Sequence, residues 1–178
     1  AQGEEDTRFV SYFIAHHSSG LKPSDDFPVA MEDKTFTFGS KGSTSGRLMP
    51  EFYIREHMDK SPEQAFSRVG FSGNHSRTIA LVQTGAYQLG ATNYKVWESE
   101  LAAGNIDLDK VSVIWKTPTY PDYQWSIRGD VDSEWGAGFK QRVKQALLEM
   151  NDPELLQAFP RSRFIEATND DYQPILDT

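Results

Sequence analysis

The sequence of 178 residues has no cysteine, no long apolar run and no excess of basic residues. The lack of cysteine excludes disulfide bonds, thiolate metal ligands and cysteine catalysis. No stretch approaches the roughly 20 apolar residues that a membrane-spanning helix needs. With 18 Lys and Arg against 26 Asp and Glu, the formal net charge is -8, which argues against nonspecific nucleic-acid binding. A small anion is still permitted, because a few backbone N–H groups can hold one.

Common catalytic and metal-binding motifs are also missing. The sequence contains no G-x-S-x-G elbow, no Walker A loop and no H-E-x-x-H pair. His16 and His17 are adjacent, and adjacent residues of a strand point to opposite faces, so they do not form a metal pair. We therefore expect no catalytic residue, no metal site and no cofactor. An enzyme on an α/β lobe remains a competing hypothesis, which the lack of a paired nucleophile and base disfavours.

The proportions of hydrophobic (38%) and charged (25%) residues are ordinary, and the length suits one domain or two small lobes. The predicted order is strand, strand, helix, helix, strand, helix, strand, helix, strand, strand, helix. The last strand is predicted in "DYQWSIR" and the last helix from Asp132 to Met150. This alternation predicts an α/β fold with a largely parallel sheet. In such sheets, ligands lie at the carboxyl ends of strands, beside helix N-termini.

The stretch "FGSKGSTSG" ends a predicted strand and begins a helix that runs from Thr44 or Ser45 to about Met58. The first N–H groups of a helix have no partner within the helix, and Ser43, Thr44 and Ser45 add hydroxyl donors. A tetrahedral oxyanion would find several donors at the positive end of the helix dipole. The alternative is that these residues only cap the helix, since Ser and Thr are common caps.

Two further turns have the same form. In "FSGNHSRT", His75 at the helix start either donates to an anion or is an ordinary surface residue. In "GATNYKVWE", Asn93 either donates to a ligand or caps the next helix, and Tyr94 and Trp97 either wall a pocket or fill the core. Because such turns fall on the same edge of a parallel sheet, each one strengthens the prediction of a site at the others.

A fourth candidate lies in "TPTYPDYQW", a proline-punctuated loop between the last two predicted strands. The carboxylate of Asp122, beside aromatic side chains, suits a ligand ammonium through charge and cation–π attraction. The alternative is that Asp122 only helps to form the turn.

Together these turns make the chain resemble the periplasmic phosphonate-binding proteins of ABC transporters, the phosphate/phosphite/phosphonate substrate-binding family. The resemblance runs from about Arg8 to Asp177 and is carried by "FGSKGSTSGRLMPEFYI", "VGFSGNHSRTIALVQTGAYQLGATN", "GNIDLDKVSVIWKTPTYPDYQWSIRGDV" and "FIEATNDDYQPILD". It implies an α/β lobe of the type II periplasmic-binding fold, with a mostly parallel sheet flanked by helices, hinge strands and C-terminal helices. Residues 8–125 would form the ligand-binding lobe with hinge strands. Residues 126–178 would continue the second hinge strand into a C-terminal helical segment.

The resemblance also implies roles for the residues of the first two turns. The oxygens of a phosphonate would be held at the helix start by Ser43, Thr44 and Ser45. His75 would donate a further hydrogen bond to the same group.

At the two later turns, the chain matches only one of the two acidic positions found in the aminoalkyl-phosphonate binders of the family. Asp122 matches one of the acidic residues that hold the ligand ammonium in aminoalkyl-phosphonate binders. The other acidic position falls just after "ATN", where this chain has "YKVWE" and no acid in register. Asn93 and Tyr94 are therefore the candidates at that place, and a preference for 2-aminoethylphosphonate is not expected.

The implied function is that of an extracytoplasmic solute-binding protein. It would capture a phosphonate, phosphite or phosphate-like molecule in the bacterial periplasm and deliver it to the membrane permease of an ABC transporter. The alternative is a ligand-sensing domain of an extracytoplasmic receptor with the same fold. Neither nucleic acid nor a direct membrane span is expected. Because family members are substantially longer, we expect the chain to be a fragment that lacks most of the first lobe.

Overall fold

The computed structural model describes residues 8–157 and 163–178. The chain forms two compact units. The sheet unit comprises Val10–Pro118 with Thr178, and the tail unit comprises the described residues among 8–9 and 119–177. The predicted boundary between a ligand-binding lobe (8–125) and a C-terminal segment (126–178) is defined by ligand binding, so it stays a prediction.

In the described part of the chain, five strands form one mixed sheet in the order β3-β2-β4-β1-β5. The strands are β1 (Ser11–His16), β2 (Thr35–Phe38), β3 (Arg68–Phe71), β4 (Leu89–Asn93) and β5 (Val111–Lys116). β2 is parallel to β3 and β4, while β1 is antiparallel to β4 and β5. Four strands therefore run in one direction and end at the same side of the sheet, called the carboxyl edge below. The predicted α/β fold is confirmed, and the reversed β1 makes its sheet mixed.

The helices of the sheet unit begin and end at local signals in the sequence. They are α1 (Met49–Met58), α2 (Pro62–Ala65), α3 (His75–Gln83) and α4 (Tyr94–Ala102). Asn74 caps α3 and Asn93 caps α4 through their side chains. Gly85 and Gly104 follow these helices with φ of 76° and 74°, in the left-handed region that ends helices without strain at glycine. The predicted starts of α3 at His75 and of α4 after Asn93 are confirmed.

The helix after β2 begins unusually. One turn of π-helix, Thr44–Leu48, precedes α1, and Ser43 is its cap. The predicted start at Thr44 or Ser45 is confirmed. Pro50 is in the first turn of α1 and has no N–H to donate. The carbonyls of Ser45 and Gly46, in the preceding turn, accept from the Ser11 hydroxyl and the Gly39 N–H instead.

The core has two faces because side chains alternate along β1. Tyr12 and Ile14 face α3 and α4, in a cluster with Ile79, Val82, Trp97, Ile106 and Val111. Trp97 is only 3% exposed and belongs to this cluster, so it fills the core. Phe13 points to the other face, where its ring lies 5.8 Å from Phe36 and 5.3 Å from Trp115. Burial of each large apolar side chain stabilises the fold by about 1.5–3 kcal/mol. Packing on both faces of the sheet therefore fixes the position of its carboxyl edge.

The predicted strand in "DYQWSIR" is wrong. Residues 121–128 have no regular structure, and Phe9 and Tyr120 form only an isolated bridge. The ring of Trp125 instead packs edge-on against Phe164, at 5.4 Å between centroids. The aromatic residues that predicted a strand therefore pack within the tail unit.

The continuous helix predicted from Asp132 to Met150 is also wrong. The tail unit contains α5 (Val131–Trp135), α6 (Phe139–Leu148), α7 (Pro153–Gln157) and α8 (Gln173–Leu176). Gly136 and Gly138 separate α5 from α6 with φ of 90° and 76°, outside the helical region. Among the described residues, no helix has the length and apolar character needed to cross a membrane.

Candidate anion-binding site

The turn between β2 and the π-helix leaves several hydrogen-bond donors unused. The Ser43 hydroxyl accepts from the Gly46 N–H at 2.9 Å, and the Ser43 carbonyl accepts from the N–H groups of Arg47 and Leu48. The backbone N–H groups and the hydroxyls of Thr44 and Ser45 have no acceptor among the described residues. Ser43 therefore caps the helix, while the N–H and hydroxyl donors of Thr44 and Ser45 remain available to a ligand or to solvent.

Two hydrogen bonds hold this turn in place, one from β1 and one from the residue that follows β2. The hydroxyl of Ser11 in β1 donates to the Ser45 carbonyl at 2.7 Å, and the Gly39 N–H donates to the Gly46 carbonyl at 2.8 Å. The next strand-to-helix turn is tied to the first, because the Gly73 N–H donates to the Gly39 carbonyl at 3.2 Å. The turns after β2 and β3 are therefore neighbours at the carboxyl edge, as the sequence predicted.

The His75 ring lies against Gly46. A Cβ atom added to Gly46 would be only 2.9 Å from His75 Cε1, so the two turns touch at this glycine. The Nδ1 atom of His75 accepts a hydrogen bond from the Asn93 backbone N–H at 3.2 Å. Burial lowers the pKa of His75, and the neutral ring with an accepting Nδ1 carries its proton on Nε2. His75 is thus a donor beside the donors of Thr44 and Ser45.

Asn93 and Tyr94 have structural partners of their own. The Asn93 side-chain oxygen accepts from the N–H groups of Lys95 at 2.7 Å and Val96 at 3.3 Å, so it caps α4. The Tyr94 ring lies 6.2 Å from that of Tyr12 and packs against the core cluster. Capping and core packing are therefore shown for Asn93 and Tyr94, and a role toward ligand stays a prediction.

Asp122 belongs to the tail unit, unlike the other candidate residues. It lies half-buried in the segment without regular structure, between the buried Pro121 and the exposed Tyr123. Its role toward ligand also stays a prediction.

The buried polar groups around the site carry no charge. Among the described residues, the polar side chains that are buried all bear hydroxyls: Ser11, Thr37, Ser45, Ser72, Thr78, Thr92 and Thr117. Arg47 lies in the π-helical turn, but its guanidinium pairs with Glu51 at 2.8 Å, and Glu51 also binds Arg55. The donors of the turn at Thr44 and Ser45 are therefore neutral and preorganised.

Sequence patterns could not reveal some of these contacts. The support of Ser45 by Ser11 and the fixing of His75 by the Asn93 amide join residues that are 34 and 18 positions apart. Neither contact leaves a local signal. Within the described ranges 8–157 and 163–178, no group of three or more His, Asp or Glu side chains could hold a metal ion.

Fold and site together define a class of protein: an α/β lobe of the periplasmic-binding type whose donors converge at strand-to-helix turns. The family model described as the periplasmic phosphonate substrate-binding protein of ABC transporters matches residues 1–172. The chain belongs to this family of phosphonate-binding proteins.

One similar protein is named for phosphite, and its structure contains methylphosphonate. The chain is 34% identical to the probable phosphite-binding protein PhnD1 of an ABC transporter from Prochlorococcus marinus, over 98% of the chain and 61% of that protein. The structure of PhnD1 with methylphosphonate matches at a TM-score of 0.82, over 99% of the chain and 68% of that structure. The chain therefore spans about three fifths of the length of this relative.

A more distant structure supports the fold alone. The binding protein component of an ABC phosphonate transporter from Pseudomonas aeruginosa matches at a TM-score of 0.70 with 19% identity. The match covers 99% of this chain and 58% of that structure.

Proposed function

We propose that the carboxyl edge of the sheet unit binds a phosphorus oxyanion. Ser43, Thr44 and Ser45 hold its oxygens, and His75 donates a further hydrogen bond through Nε2. The observation that carries this proposal is the set of donors on Thr44 and Ser45 that have no acceptor among the described residues, next to the turn that touches His75. Such donors at a helix start favour a tetrahedral oxyanion.

Two of the remaining candidates lie beside these donors in the sheet unit. Asn93 and Tyr94 form a neighbouring wall at the start of α4, and Asn93 also fixes the His75 ring through its backbone N–H. For Asp122, in the tail unit, we propose only the role that the family resemblance implies, which is to hold a ligand ammonium.

The ligand class is a phosphite, a phosphonate or a phosphate-like molecule. This proposal is supported by the printed name of PhnD1 as a phosphite-binding protein and by the methylphosphonate in its structure. The whole protein acts in the periplasm as the solute-binding component of an ABC transporter and delivers the ligand to a membrane permease, a proposal supported by the family description. Its work is capture and delivery, with no chemical conversion of the ligand.

The proposed site is tested by titrating the 178-residue chain with phosphite, methylphosphonate, phosphate and 2-aminoethylphosphonate. Amide shifts of Thr44, Ser45 and His75 in nuclear magnetic resonance spectra report binding even at millimolar affinity. We expect phosphite or methylphosphonate to shift these three amides together. No shift of these amides with any of the four ligands would contradict the proposal.

Thr44→Ala tests directly whether the turn at Ser43, Thr44 and Ser45 binds the anion. Losing a hydrogen bond to a charged ligand should weaken binding by about 1–3 kcal/mol. The control is Thr84→Ala at the far end of α3, where the hydroxyl donates to the Ala80 carbonyl at 2.9 Å. Unchanged affinity in Thr44→Ala would show that this turn only caps the helix and does not bind the anion.

A further inference from the structure

Thr92, near the end of β4, carries a buried hydroxyl that the fold leaves without a partner. The residue is 0% exposed, and in the described part of the chain its Oγ1 is the fully buried side-chain oxygen that makes no hydrogen bond. Buried hydroxyls nearby are paired: Thr37 donates to the Phe38 carbonyl at 3.1 Å, and Thr78 shares a hydrogen bond with Ser72 at 2.7 Å. An unpaired buried hydroxyl destabilises a fold, so the presence of this one calls for an explanation.

The Thr92 side chain lies beneath the first turn of α3. Positions 90 and 92 of a strand share one face, and a Cβ atom added to Gly90 would lie 2.8 Å from Thr78 Cγ2 in α3. The Asn93 N–H, one position beyond Thr92, reaches the His75 ring at the start of the same helix. Later positions of β4 therefore face earlier positions of α3, and Thr92 lies beside the turn that contains His75.

The Nδ1 atom of His75 is an acceptor close to this hydroxyl. Its hydrogen bond from the Asn93 N–H is 3.2 Å long, which is the long end of the range for an N–H donor. The Thr92 hydroxyl is only a few covalent bonds from that N–H, so a small shift of the ring brings Nδ1 within its reach. An anion on Nε2, the opposite nitrogen, supplies a cause for such a shift because it attracts the Nε2–H.

We propose that Thr92 is a positioning residue for His75. When an anion binds, the Thr92 hydroxyl joins the Asn93 N–H as a donor to Nδ1 and holds the ring with its Nε2–H toward the anion. A donor at Nδ1 fixes the neutral tautomer that carries its proton on Nε2, which is the one that can donate to an oxyanion. The hydroxyl is thus paired in the bound chain and unpaired in the free chain. This inference rests on the proposed function and adds to it a residue that acts through His75.

Thr92→Val tests the proposal, because valine keeps the branched shape and removes the hydroxyl. The dissociation constant for methylphosphonate should rise about threefold to tenfold, as expected for one lost hydrogen bond. The urea midpoint of the ligand-free variant should equal or exceed that of the parent chain, because no hydrogen bond is lost there. Thr92→Ser keeps the hydroxyl and should restore most of the affinity.

Thr37→Val is the matched control on the neighbouring strand β2, where Thr37 is paired in register with Gly90. It removes a buried hydroxyl that has a partner, so it should lower the urea midpoint and leave the affinity for methylphosphonate unchanged.

The His75 ring gives a readout that a purely structural role of Thr92 would not move. In nuclear magnetic resonance spectra, the nitrogen-15 shift of His75 Nδ1 should change when methylphosphonate binds to the parent chain, because Nδ1 gains a donor. This change should be clearly smaller in Thr92→Val and should return in Thr92→Ser.

The outcomes separate the two proposals. Unchanged affinity in Thr92→Val, or an Nδ1 response equal to that of the parent chain, would overturn the role of Thr92. A loss of stability in ligand-free Thr92→Val as large as that in Thr37→Val would also overturn it, since the hydroxyl would then be paired without ligand. Failure of the parent chain to bind methylphosphonate, phosphite or phosphate would instead overturn the proposed function.

Discussion

Gly46 is the residue at which the first two turns touch, and its lack of a side chain makes the proposed site possible. A Cβ atom there would lie 2.9 Å from His75 Cε1 and 3.0 Å from the Ser43 hydroxyl oxygen. Gly46→Ala must displace one of these groups, at a cost of about 1–3 kcal/mol. We expect it to weaken methylphosphonate binding at least about tenfold, measured by titration.

Gly42→Ala is the control for Gly46→Ala. It lies in the same loop, and a Cβ atom there meets nothing within 4 Å. Its affinity should match that of the parent chain. Equal losses in both variants would show that the loop, and not the contact with His75, controls binding.

His75 should make the stability of the protein depend on pH. Burial lowers its pKa in the folded state below the ordinary value of about 6.5, so the unfolded chain binds the proton more readily. The stabilising contribution is fully present above pH ~6.5 and is lost as the pH falls through the folded-state pKa. The free energy of unfolding, measured with urea, should therefore fall on acidification.

His75→Gln isolates this contribution, because the other titrating groups are common to both proteins. The difference in unfolding free energy between the parent chain and this variant should decrease as the pH falls from about 7.5 to 5.5. A difference that stays constant over this range would show that His75 is not held neutral by its surroundings.

The element that sequence patterns described least well is the helical region after residue 130. The Asp132 carboxylate reaches forward to accept from the N–H groups of Gly138 at 3.2 Å and Lys140 at 2.7 Å, so it caps α6 from six and eight positions away. Sequence rules look for a capping residue directly before a helix. They treat Gly136 and Gly138 only as residues of low helix propensity. The break between α5 and α6 was therefore missed.

Asp132→Ala should destabilise the start of α6. Loss of a cap typically costs about 0.5–2 kcal/mol, and here two N–H groups lose their acceptor. Circular dichroism should show reduced helicity, and exchange of the Lys140 amide should become faster. Asp130→Ala is the control, since the Asp130 carboxylate accepts from Arg128, before α5, and not from the N–H groups of Gly138 or Lys140. Unchanged exchange at Lys140 in Asp132→Ala would contradict the capping role.

The strand-to-helix turns of the sheet unit were predictable because their capping residues are close in sequence to the N–H groups that they bind. Asn74 bonds the Arg77 N–H three positions on, and Ser43 bonds the Gly46 N–H at the same spacing. Such caps act within one helical turn, so the residue types alone indicate them. The strand predicted after residue 121 failed because the packing of Trp125 on Phe164, 39 positions away, replaced sheet pairing.

At the scale of the whole molecule, the two units differ in how much they bury. In the sheet unit, β1 and β4 are buried along almost their whole length. In the tail unit, no residue of α5 or α6 is buried. Because slow exchange requires buried, hydrogen-bonded amides, the centres of β1 and β4 should exchange at least about tenfold more slowly than α6. Hydrogen exchange with mass spectrometry measures this directly, and equal protection would contradict the difference in burial.

The sequence by itself determined the α/β class, the positions of the turns and their helix caps, because glycine, serine, threonine and asparagine act on their own neighbours. Tertiary structure decided which turns meet. The reversed direction of β1 brings Ser11 to the carboxyl edge, where it supports Ser45, and the Asn93 amide holds His75 from the end of β4. These contacts join residues 34 and 18 positions apart, and only the packing of the sheet and its helices brings them within hydrogen-bonding distance.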